Sequence, residues 1–209
     1  MTKPRVFIVR HGETAYNQPP EKVRGHIDLP LNLSGAGEAL RLGREFKDKP
    51  IHKIYTSNLK RAVATAHAIH RLHPSHPPVF SRHQLRPWKA GHEIEGEEVA
   101  KVLPKMLSYQ LDYPHRIPPG GHSFDQFKST YLDELQDILD EAKQKPEFGA
   151  ILVSAHTRNL RVTDGWMKAG QRGLEVDKSV LENADHLPTG SYLEYEHDGN
   201  AWQQVNSDK

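Results

Sequence analysis

With 209 residues the chain is long enough for one good-sized domain and barely long enough for two, and the absence of cysteine excludes disulfides, thiolate catalysis and cysteine-ligated metal centres. The 28 Lys and Arg against 27 Asp and Glu leave a formal net charge of +1, so the chain lacks the global field that gathers nucleic acid or an anionic membrane. No apolar run approaches the ~20 residues of a membrane span, and the N-terminus enters its first apolar run without a leader pattern, so a cytoplasmic protein is expected.

The first element is Val6-Phe7-Ile8-Val9, an apolar run rich in β-branched residues that stops at Arg10-His11-Gly12. Such a run suits a strand buried on both faces, and functional groups in open α/β sheets collect just beyond the carboxyl ends of such strands. The stretch from Tyr16 to Leu33 is rich in Pro, Gly, Asn and charge and reads as a loop. Its length marks it as functional. Ser34 is the expected N-cap of a helix whose apolar positions are Ala36, Ala39, Leu40, Gly43 and Phe46, and Pro50 ends it. A second strand is expected over 51–55, then a turn at Thr56-Ser57-Asn58 and a helix marked by Leu59, Ala62, Val63, Ala66 and Ile69. Arg61 falls in its first turn.

A short strand at 79–81 follows, and then the pattern loosens. Proline and glycine recur through residues 86–122, with a helix expected over 97–111, so this part reads as an insertion or cap folding over the site. Phe124, Phe127, Tyr131, Leu135, Ile138, Leu139 and Ala142 then form the apolar stripe of a long helix. Ala150 to Ala155 is a second buried strand, ending in His156, and a helix continues from Thr157 to Lys168. A hairpin over 191–196 and 202–205, turning at Asp198-Gly199-Asn200, closes the chain. The fold class expected is α/β, a three-layer sandwich with a mixed, mainly parallel central sheet, in a single domain over 1–209.

Two apolar strands thus end in histidine, and Arg10 and Arg61 belong to the same sheet edge. Two histidines and two arginines around one crevice can bind a dianion. A neutral imidazole among them can attack phosphorus, and the guanidinium forks can neutralise the equatorial oxygens. A metal is not expected, because Arg10 and Arg61 would repel a cation and no carboxylate is supplied with the histidines. The spaced His67, His70, His73 and His76 read as a solvated, mildly basic helix end.

Arg10-His11-Gly12-Glu13-Thr14, Asn17, Arg24-Gly25, Asp28-Leu29-Pro30-Leu31-Asn32 ahead of Gly35, Thr56-Ser57 with Arg61, and Val153-Ser154-Ala155-His156 together resemble the histidine phosphatase superfamily, the phosphoglycerate-mutase-like proteins. The order matches from end to end. The resemblance implies a phosphoglycerate-mutase-like fold and a metal-independent phosphatase without cofactor, in which His11 becomes phosphohistidine and Arg10, Arg61 and His156 hold the phosphoryl group. It further implies that Asn17, Arg24 and Thr14 meet phosphate or substrate and that Thr14 helps to order the loop. The substrate would be a small-molecule phosphoester or a phosphoprotein, and a homodimer is compatible with the family. A phosphoglycerate-type mutase and a catalytically weak phosphoester-binding regulatory protein are the alternatives.

The chain departs from the family at the proton donor. The run that usually carries a glutamate is Leu85-Arg86-Pro87-Trp88-Lys89-Ala90-Gly91, with Pro87 in the glutamate's place, and Gly120-Gly121-His122-Ser123 lacks a second glutamate. Glu93, Glu95, His92 and His122 are the candidate replacements.

Overall fold

The computed structural model describes residues 2–182 and 187–207. Strands β1 (Arg5–Arg10), β2 (Ile51–Ser57), β3 (Val79–Arg82), β4 (Ala150–Ala155), β5 (Tyr192–His197) and β6 (Trp202–Ser207) form one sheet in the order β3-β2-β4-β1-β5-β6. The first four pair in parallel, and β5 and β6 add an antiparallel edge.

The apolar run of β1 is continuous because both faces of the sheet are covered. Val6 and Ile8 pack with Tyr131 and Leu135 of α4 (Phe124–Gln144) and with Leu160 of α5 (Thr157–Lys168). Phe7 and Val9 point the other way, to Leu42 and Phe46 of α1 (Leu33–Phe46) and Ile69 of α2 (Lys60–Leu72). Alternate residues of one strand therefore anchor two helix layers, as a two-residue period requires. Each such side chain taken fully out of water contributes about 1.5–3 kcal/mol. The described residues also form two shorter helices, α3 (Val99–Leu107) and α6 (Lys178–Glu182).

Three boundaries differ from the expectation. α1 is capped by Asn32 rather than Ser34: the Asn32 side-chain oxygen accepts from the Gly35 N–H at 2.8 Å, while its amide donates to Glu13 Oε1 at 2.7 Å. The cap thus also ties the helix to the loop after β1, a tertiary demand that local spacing does not carry. β2 runs through Ser57, past the expected turn, because it pairs with β3 up to Arg82 and with β4 up to Ser154. The helix expected over 97–111 is α3 followed by a wider turn at Ser108–Asp112.

Part of the stretch 86–122 packs into the core. Trp88, Ala90, Ile94, Val102 and Met106 are buried in the same cluster as β1 and β4. Backbone bonds from Val99 N to Glu21 O, from Val23 N to Glu97 O and from Gly96 N to Val23 O fasten this segment to the loop after β1.

Candidate active site

Because β1 and β4 are parallel neighbours with Arg10 opposite Ala155, the residues that follow them emerge side by side. His11 N donates to Ala155 O at 3.1 Å, and the His11 and His156 rings lie 5.1 Å apart between centroids. Arg10, His11, Arg61 and His156 are all buried and line one cavity of about 210 Å³. Arg24, Gly25 and Glu21 contribute from the loop after β1, Pro87, Trp88 and Ala90 from the stretch before α3, and Val99, Leu103 and Met106 from α3.

The state of His11 follows from one bond. Its Nδ1 lies 2.7 Å from the carbonyl oxygen of Gly12, which can only accept, so Nδ1 carries the proton and Nε2 carries the lone pair. Burial, then the Arg61 and Arg10 guanidiniums, hold His11 well below the ordinary imidazole range, so the ring is neutral. His156 is lowered in the same way, by burial and then by Arg61. Its Nε2 meets Ser57 Oγ at 2.7 Å.

The backbone around His11 is held from two sides. Gly12 N donates to Thr65 Oγ1 at 3.1 Å, and Thr65 Oγ1 donates to Arg61 O at 2.9 Å. On the other side the chain runs directly over the first turn of α1. A Cβ on Gly12 would lie 2.4 Å from Gly35 O, and one on Gly35 would lie 2.1 Å from Glu13 O, so both positions need glycine.

The arginines are fixed by backbone carbonyls. Arg61 donates to Ile27 O and Gly25 O, each at 2.8 Å, and Arg10 donates to Leu187 O. Among the described residues, neither guanidinium is paired with a carboxylate, and both Nε–H groups are buried without a partner. Burial and the neighbouring Arg24 push Arg10 down to about 9 and Arg61 down to about 10. Clustered, desolvated cations with spare donors are stabilised by an arriving dianion.

Of the residues singled out in the sequence, the structure brings Arg10, His11, Arg24, Arg61 and His156 to the cavity. Thr14 and Asn17 stand beside it and bond to each other: Thr14 N and Oγ1 both donate to Asn17 Oδ1, at 3.0 and 2.9 Å. They close the turn after His11. None of Glu93, Glu95, His92 and His122 lines the cavity. Glu93 is exposed and paired with Lys105. His92 is exposed. Glu95 lies behind the wall, accepting from Ala90 N at 2.9 Å, and is raised by its burial. His122 faces a separate hollow with His26. No group of three or more His, Asp or Glu among the described residues could hold a metal ion.

Three charged cavity residues, Glu21, Arg158 and Arg161, went unnoticed in the sequence. Glu21, paired with Arg24 at 3.0 Å, is the carboxylate of the described lining; only its three-residue spacing from Arg24 could have hinted at it. Arg158 lines the cavity two residues beyond His156, on the first turn of α5.

A mixed, mainly parallel sheet thus brings a neutral histidine, a second histidine and several arginines to one cavity, an arrangement able to hold a phosphoryl dianion. Residues 6–208 match the histidine phosphatase superfamily (branch 1), and the chain belongs to that family. It is 35% identical over 169 residues to a metal-independent phosphoserine phosphatase of Arabidopsis thaliana, covering 75% of this chain and 65% of that protein. It is 34% identical over 230 aligned positions to a 2,3-bisphosphoglycerate-dependent phosphoglycerate mutase of Chlamydia trachomatis, covering 93% of this chain and 94% of that one. The chain spans only 57–65% of the length of several curated relatives that it matches. Among solved structures, a mycobacterial glucosyl-3-phosphoglycerate phosphatase in complex with VO3 shares the fold at a TM-score of 0.77, with 17% identity and 97% of each chain covered.

Proposed function

We propose that this chain is a metal-independent phosphatase that hydrolyses a phosphomonoester through a phosphohistidine on His11. The observation that carries the reading is the bond from His11 Nδ1 to Gly12 O, which presents Nε2 as a lone pair in a cavity of cations. Nε2 attacks phosphorus as the bond to the alcohol oxygen breaks. Arg10, Arg61 and His156 stabilise the equatorial oxygens, where charge builds. Arg24 turns from Glu21 to the incoming group, which frees the Glu21 carboxyl to take up a proton. Glu21 gives that proton to the leaving oxygen and then takes one from the water that attacks phosphohistidine, releasing phosphate and regenerating His11.

A small-molecule phosphoester or phosphoprotein substrate in the cytoplasm, without nucleic acid or membrane, fits the +1 net charge. It also fits the finding that no helix among the described residues is long and apolar enough to cross a membrane. The near full-length likeness to the Chlamydia mutase supports a second reading, phosphoryl return from His11 to a different hydroxyl.

The test is phosphate release from p-nitrophenyl phosphate with chelator present. Wild type is expected to turn over and to trap acid-labile phosphate on His11, and His11→Ala to do neither. Turnover that survives in the variant would sink the reading. Replacing Glu21 by Gln is expected to slow an alkyl phosphate by about 10²–10⁴ and the activated aryl ester far less, since an acid matters most to a poor leaving group. Equal losses on both would remove Glu21 from the proton path. Phosphoryl appearing at a new position of a hydroxylated phospho-substrate, rather than in water, would favour the mutase.

A further inference from the structure

The phosphoryl group accounts for Arg10, Arg61 and His156, and Glu21 balances Arg24 at 3.0 Å in the resting cavity. Two further arginines line it, Arg158 and Arg161, both on α5; Arg161 has an interaction of its own, and Arg158 is left over. Its Nη1 is buried without a hydrogen-bond partner, and it forms no ion pair among the described residues. Burial, with Arg161 nearby, pushes it down to about 9, so its charge is held in place at a cost. It is not a stray surface arginine turned inward for packing, because it lines the same cavity as His11 and His156. It stands on the first turn of α5, two residues past His156, so its backbone lies within one helical turn of the phosphoryl pocket. α3 contributes Val99, Leu103 and Met106 to the same lining and no cation.

The geometry points to Arg158 as the reader of a second anionic group, a carboxylate or a phosphate, on the alcohol part of the substrate. The inference rests on the cavity being the phosphoryl site proposed above. The substrate then carries its phosphoester at His11, an apolar stem against α3, and an oxyanion at the Arg158 fork, which satisfies the buried donor and discharges the like-charge crowding. Glycerol-type or simple alkyl phosphates leave that guanidinium unpaired and are discriminated against, because an unmet buried charge is costly.

The probes are propylphosphonate, 3-phosphonopropionate and propane-1,3-bisphosphonate, which share the phosphonate and differ at the far end as methyl, carboxylate or second phosphonate. Each is measured as an inhibitor of aryl phosphate hydrolysis and as a ligand by calorimetry. At least one doubly anionic probe is expected to bind wild type about tenfold to a hundredfold tighter than propylphosphonate, the span of a charge-assisted bond. Which of the two gains tells carboxylate from phosphate. In Arg158→Gln the advantage is expected to fall below about threefold, and in Arg158→Lys to return in part. Equal affinities of all three probes for wild type, or an advantage unchanged in Arg158→Gln, would overturn the assignment. The wild-type comparison stands even if the variants fail to fold. Calorimetry separates the two proposals: tight binding without turnover would remove the phosphatase and leave Arg158 as the reader.

Discussion

Thr65→Val isolates a single hydroxyl that joins the nucleophile's backbone to the helix bearing Arg61. Thr65 is fully buried, and valine keeps its shape while deleting the oxygen. The Gly12 N–H, now bonded to Thr65 Oγ1 at 3.1 Å in a buried turn, would lose its acceptor. Leaving such a donor unsatisfied costs about 1–3 kcal/mol, whereas Arg61 O loses only an extra donor beyond its helical one. In a domain of this size that corresponds to a fall in Tm of roughly 2–4 °C per kcal/mol. The catalytic effect is separate. Gly12 O fixes the His11 tautomer, so a shifted peptide at Gly12 misaims Nε2, and misplacement on the scale of 1 Å costs about a hundredfold in rate. Thr65→Ser retains the hydroxyl and loses a methyl, so it is expected to lose about 1 kcal/mol of stability yet keep kcat within about threefold. Thermal melts and steady-state kinetics on both variants decide it. Equal kcat values for the valine and serine proteins would refute the claim that this hydroxyl positions the nucleophile.

Gly35→Ala would put a Cβ 2.1 Å from Glu13 O and 2.5 Å from Glu13 N, both backbone atoms, so a loss of about 3 kcal/mol or more is expected in chemical denaturation; an unchanged midpoint would disprove the close approach. His11 and His156 are held below the ordinary value near 6.5, so below that pH the unfolded chain binds more protons than the folded one, and stability falls as pH falls. The stability these two groups contribute is present above about pH 6.5 and is expected to be lost progressively on going from pH 7 to 5.5. A His11→Gln, His156→Gln double variant should flatten that slope, and a slope equal to wild type would show that other groups carry it. Tyr131→Phe removes the buried bond between Tyr131 and Thr163 hydroxyls, 2.6 Å long, that joins α4 to α5; a loss of about 1–2 kcal/mol is expected, and a Tm equal to wild type would mean that the bond contributes nothing.

The sequence by itself determined the two buried strands, their terminal histidines and the arginine on the first turn after β2. Those signals are local: β-branched apolar runs long enough to need cover on both faces, and helix periodicity beginning within a few residues of each strand. Parallel pairing then brings the two strand ends to one edge, so His11, His156, Arg10 and Arg61 are legible in the sequence alone. The motif order also identified the family. Only the tertiary structure decided what surrounds that quartet. Asn32 caps α1 in place of Ser34 because its amide also reaches Glu13, across 19 residues. Glu93, Glu95, His92 and His122 share a segment with the cavity wall but not its inner face, because Trp88, Ala90 and Met106 occupy that face and turn the polar groups outward or behind. Glu21 enters because backbone bonds from the 96–99 region pin its loop over His11. Thr157, Arg158 and Arg161 are distinguished from the outward-facing residues of α5 only by the side of the helix on which they fall. Which side of a loop or a helix faces a cavity depends on partners far away in the chain, and nearest-neighbour pattern does not record them.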